Sequence, residues 1–197
     1  MSRPVTIVRS RVRRFAERVL TLLRDRRGVS AVEFALLLPL MMALYLGGTE
    51  ISQAISISRK VTLTARTVAD LVSRVTSTST SDLQNSLNAA VAVMAPYKPT
   101  PMSVTISQVY IDDQGRATID WSCAYQGTAH QAQSPVTLPN SMVIPSSYLI
   151  WGESRYNFTP QIGYVITGTL QLKDQIYMVP RMSSAVTFKP PNCPSFS

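Results

Sequence analysis

An α+β architecture is predicted for this 197-residue chain. It consists of one long N-terminal helix with a membrane-spanning first half, then a small antiparallel β-rich domain with one short helix. Three observations predict it. Arginines crowd the start, an uncharged Leu/Ala/Met run follows directly, and beyond Pro96 apolar residues change from helical spacing to alternation. The length predicts one or two domains. The expected organisation is a basic leader at 1–28, a transmembrane and extended amphipathic helix at 29–76, a Ser/Thr hinge at 77–81 and an exported α+β domain at 82–197.

The leader carries the charge. Residues 1–27 hold nine arginines against Glu17 and Asp25, or +7 of the chain's net +8. The body is nearly neutral, which weakens any reading as a nucleic-acid-binding domain, since that function needs its cations on the folded part, and no nucleic-acid partner is expected. Val5, Val8, Val12, Phe15, Val19 and Leu22 recur every three or four residues. This amphipathic pattern fits a transit peptide or a helix lying on an anionic membrane face, and the apolar segment behind it favours the second.

Between Glu33 and Glu50 lie 16 uncharged residues. At ~1.5 Å per residue they cover ~24 Å, short of a ~30 Å hydrocarbon core, so the span must start near Val29 and tolerate Glu33. The arginines hold the leader in the cytoplasm and the body is exported. A conventional signal peptide fits poorly, because no small-residue cleavage site follows the apolar run. Pro39 is tolerable as a membrane-helix kink.

The junction reads Arg26-Arg27-Gly28-Val29-Ser30-Ala31-Val32-Glu33-Phe34, with Pro39 five residues on. It resembles the TadE/TadG-like family of the tight-adherence (Flp, type IVc) pilus machinery, and is more TadE-like because TadG relatives often carry an extra large domain. The resemblance implies cutting between Gly28 and Val29 by a prepilin peptidase, an aspartic membrane protease. It places Glu33 and Phe34 at positions five and six of the mature chain. It also implies a pilin-like helix in the bacterial inner membrane, the C-terminal domain in the periplasm, and incorporation in a surface pilus as one possible end state. Expected partners are membrane lipids, the peptidase, other pilins or pseudopilins and pilus assembly proteins. The alternative is an uncleaved single-pass protein with a periplasmic ligand-binding or scaffolding domain. Glu33 has its own physical logic. A carboxylate at the centre of a spanning helix costs ~2.5–3.5 kcal/mol, less near an end, and cleavage frees an α-amino group at Val29, one turn away.

Beyond the span, Val61, Ala65, Val68, Val72 and Val75 form an apolar stripe, with Arg66, Asp70 and Arg74 at i, i+4 beside it. Thr76–Ser81 reads as a hinge ending in a capping box of Ser81 and Gln84. A helix with Leu83, Leu87, Val91 and Met94 on one face then stops before Pro96. Strands are expected at Ser103–Ile111 and Ala117–Tyr125 around an Asp112-Asp113-Gln114-Gly115 turn, then at Tyr148–Trp151, Tyr164–Leu172 and Gln175–Val179.

In an oxidising compartment, Cys123 and Cys193 are expected to form a disulfide that pins the Pro-rich tail. Catalytic chemistry has little to work with. The only histidine is His130, no Cys–His spacing suits zinc, and no nucleophile-elbow or phosphate-loop motif appears. No enzyme activity, cofactor or metal is expected. Asp112-Asp113 reads as turn chemistry, and spacing pairs neither Asp120 nor Glu153.

Overall fold

The computed structural model describes residues 27–160, 168–188, 193 and 196. The leader through Arg26, the start of the expected strand at Tyr164 and the tail prolines at 190, 191 and 194 lie outside the described residues. Helix α1 covers Arg27–Ser73, ending before the expected residue 76. The chain divides into two compact units, 1–48 and 49–197, with the division inside α1.

In the second unit, α1 buries Ala54, Ile57, Val61, Ala65, Val68, Ala69 and Val72. These spacings of three and four build one apolar face, as predicted. Val75 falls past the helix end and is exposed. Asp70 pairs with Arg74 at 2.5 Å, but its other oxygen takes Arg181 at 3.0 Å. Arg66 forms no ion pair among the described residues, because tertiary contact supplies the better-placed guanidinium.

The Ser/Thr run is partly structured. Strand β1 (Ser77–Thr78) pairs in parallel with β7 (Thr187–Phe188), and Arg181 N–H donates to Ser73 O at 2.8 Å. The chain after α1 is therefore clipped to the C-terminal segment. Helix α2 spans Thr80–Ala92 with Ser79 as its N-cap. Ser79 Oγ accepts from Asp82 N at 3.2 Å and Asp82 Oδ2 accepts from Ser79 N at 3.1 Å. The expected box on Ser81 and Gln84 is thus shifted by two residues. A carboxylate at the third helical position outcompetes a neutral amide, because it also meets the positive end of the helix dipole. The Ser79 hydroxyl, and then its backbone N–H, hold the Asp82 carboxyl below its ordinary value. Leu83, Leu87, Val91 and Met94 are buried as expected.

Five strands follow: β2 (Met102–Ile111), β3 (Ala117–Tyr125), β4 (Pro135–Val136), β5 (Ser147–Phe158) and β6 (Leu170–Met178). They form one antiparallel sheet in the order β4-β3-β2-β5-β6. The β2–β3 turn is the predicted one. Asp112 Oδ1 accepts from Gln114 N and Arg116 N, and Gly115 takes a φ of 79° that favours glycine. The Arg116 backbone N–H, then its side chain, hold Asp112 below its ordinary value.

Two differences in the sheet have clear causes. Strand β5 runs far beyond Trp151, because its polar stretch is buried against α1. Ser154 Oγ donates to Val61 O at 2.7 Å, and Gly152 lies directly under the α1 backbone. Strand β6 joins the two expected apolar stretches into one. In addition, β3 carries a bulge. Gln108 pairs with Trp121 and Val109 with Ile119, leaving Asp120 unopposed. Cys123 and Trp121 therefore face the helices, whereas Ile119 and Ala117 face a second cluster with Val109, Ile111, Leu138, Leu149 and Trp151. Buried Gln108 fills the crossover. It donates to Asp120 at 2.6 Å and accepts from Val186 N at 2.7 Å.

Cys123 and Cys193 are disulfide-bonded across 70 residues with Cα atoms 5.2 Å apart. Closing a loop of that length contributes about 4 kcal/mol in the chain-entropy account. The double variant Cys123→Ser/Cys193→Ser is therefore expected to lower the denaturant midpoint of the body without changing its strand content. Unfolding curves that superimpose on those of the oxidised parent would contradict this.

Candidate assembly site

The candidate site is the start of α1. Gly28 and Val29 lie in its first turn, where N–H groups have no intrahelical acceptor and local unwinding is inexpensive. A Cβ built on Gly28 would meet nothing within 4 Å. Glu33 follows Val29 by four residues, on the same face and ~6 Å along the axis. Glu33 and Phe34 are exposed, and Pro39 sits inside the helix without ending it.

Apolar exposure covers every azimuth of this segment. Val32, Phe34, Leu36, Leu37, Leu40, Met41, Leu44 and Tyr45 are each at least half exposed. Successive residues advance by ~100°, so no single face could bury this set against one neighbour. The best 18-residue window has a mean hydropathy of 2.0 and is 0% buried. Length and composition suit a membrane span, and a helix apolar all round needs lipid or other helices as its solvent.

Residues 28–70 match the sequence model of the family described as TadE-like protein. This stretch is similar to TadE-like proteins. Searches of curated proteins and of solved structures returned no match. The similarity over residues 28–70 and the one long apolar helix among the described residues fit a membrane component associated with the Tad pilus.

Of the sequence-predicted site residues, Arg26 lies outside the described residues and Arg27 opens α1. Gly28, Val29, Glu33, Phe34 and Pro39 share the TadE-like helix, and Cys123 and Cys193 are joined in the body. One cluster had no sequence signal beyond residue type. His130 Nε2 lies 2.5 Å from Glu153 Oε2, with Arg155 at 3.5 Å from the other oxygen. The His130 ring stacks on Trp151, which stacks on its cross-strand neighbour Tyr177. Burial, then the Glu153 carboxylate, push the Tyr177 phenol above its ordinary value. The nearby Ser122 hydroxyl accepts from the His130 backbone N–H at 3.0 Å, not from the ring. The cluster ties the 126–134 loop to the sheet.

Proposed function

We propose that the chain is a minor pilin or pseudopilin-like component of a tight-adherence pilus, matured between Gly28 and Val29 by prepilin peptidase. It acts by self-assembly through its N-terminal helix. The arginine leader stays cytoplasmic, and the body stands in the periplasm among pilins and assembly proteins. The observation that carries this reading is the exposed apolar first half of α1, whose one carboxylate before Glu50, Glu33, lies four residues after the Gly28–Val29 junction. Cleavage there would create an α-ammonium able to neutralise Glu33, on the same chain or on a neighbour.

The mature N-terminus tests it. Intact-mass and Edman analysis of protein from a host with active prepilin peptidase is expected to show a chain beginning at Val29. A chain that keeps the arginine leader would favour the uncleaved periplasmic scaffold.

A further inference from the structure

Gly152 and Ser154 of β5 face α1, so the alternate residues Glu153, Arg155 and Asn157 face away from it. Their cross-strand neighbours on β6 are Gln175, Lys173 and Gln171. Arg155 and Lys173 are thus two exposed cations directly opposite each other, an arrangement that costs stability unless something offsets it.

The nearby acids are already engaged. Glu153 is buried, with one oxygen 2.5 Å from His130 Nε2 and the other 3.5 Å from a single Arg155 nitrogen, the outer limit of a hydrogen bond. Asp174 accepts from the Thr62 hydroxyl of α1 and, at 2.8 Å, from Gln175 N. Among the described residues Lys173 has neither an ion pair nor a hydrogen bond, and Arg155 has no acceptor besides Glu153.

A cavity of about 280 Å³ opens at this pair, with both cations, Glu153 and Gln175 in its lining. A second, of about 270 Å³, continues from Arg155 past Ser103, Gln126, Asn157 and Gln171. The first suits an oxyanion, since a guanidinium can donate two parallel N–H bonds to one carboxylate. The second presents hydroxyl and amide groups, which both donate and accept and so match the hydroxyls of a sugar ring.

We propose that this face of β5 and β6 binds a saccharide that carries a carboxylate. Arg155 and Lys173 share the carboxylate, and Ser103, Asn157 and Gln171 hold hydroxyls of the adjoining ring. All these groups belong to the second unit, so the inference depends neither on the membrane span nor on leader cleavage.

The test is calorimetric titration of the full chain in detergent micelles with trigalacturonate, its methyl ester, triglutamate and inorganic phosphate. Trigalacturonate is expected to bind the parent, and the other three to bind about tenfold or more weakly. Arg155→Gln and, separately, Lys173→Gln should each weaken trigalacturonate about tenfold, and Asn157→Ala/Gln171→Ala about threefold or more. Lys173→Gln should also melt no lower than the parent, because it relieves a like-charge contact. A parent that does not bind trigalacturonate at millimolar concentration overturns the site, as does affinity unchanged within about twofold in either charge variant. Methyl ester binding as tight as that of the acid overturns the role of the cations. Equal binding of triglutamate or of phosphate overturns the saccharide assignment, in favour of an acidic peptide or a soluble anion respectively.

Discussion

Glu33→Ala is expected to insert into the membrane as well as the parent does and to be depleted from sheared pilus fractions by about tenfold or more, equivalent to at least ~1.4 kcal/mol. The two effects separate because they have different physical origins. Insertion depends on summed hydropathy, and removing a carboxylate from the edge of the span only favours it. In the proposed reading, assembly depends on pairing that carboxylate with a cation in low dielectric, where an ion pair is much stronger than in water. The α-amino group that the proposed cleavage would free at Val29 is the cation closest in sequence, one turn away. A neighbouring subunit's amine offers the same chemistry and would also fix the axial register between helices. Glu33→Asp should restore part of the signal, since the charge survives on a shorter arm. Normal piliation by Glu33→Ala, measured beside equal membrane content, would sink the pairing idea while leaving the span intact.

Gly152→Ala should destabilise the body markedly. The new Cβ would lie 2.6 Å from Ala65 O, 3.1 Å from Ala69 Cβ and 3.3 Å from Val68 Cγ1. The first of these atoms belongs to helix backbone, so relief requires α1 to move off the sheet. Overpacking of this kind costs about 1–3 kcal/mol, and Gly152→Val should cost more. At about 2–4 °C per kcal/mol for a unit of this size, the alanine variant should melt about 2–12 °C lower. Gly48→Ala is the control, because its Cβ would meet nothing within 4 Å and alanine favours helix. Equal melting temperatures for Gly152→Ala and the parent would mean that α1 does not seat on β5 at this closeness.

The sequence read the hairpin of β2 and β3 well, but not the faces of its strands. Ala117, Ile119, Trp121, Cys123 and Tyr125 alternate without a break, which implies one buried face. The bulge at Asp120 divides them between two cores, and the matching shift in β2, from Val104 and Ile106 to Val109 and Ile111, makes sense only once the strands are paired. The polar stretch of β5 was likewise invisible as strand. Its Gly152 and Ser154 are chosen by contacts with Ala65 and Val61, nearly a hundred positions earlier.

The apolar span, its arginine flank and the Gly28–Glu33 spacing were determined by the sequence alone. Hydropathy over a window and a motif within one helical turn are local properties, which neighbours in the chain fix without help from the fold. The seating of α1 on β5, the His130–Glu153 pair and the strap from α1 to β7 were decided only by tertiary structure. Each joins groups far apart in the chain, and the packing that brings them together is not encoded at any one position.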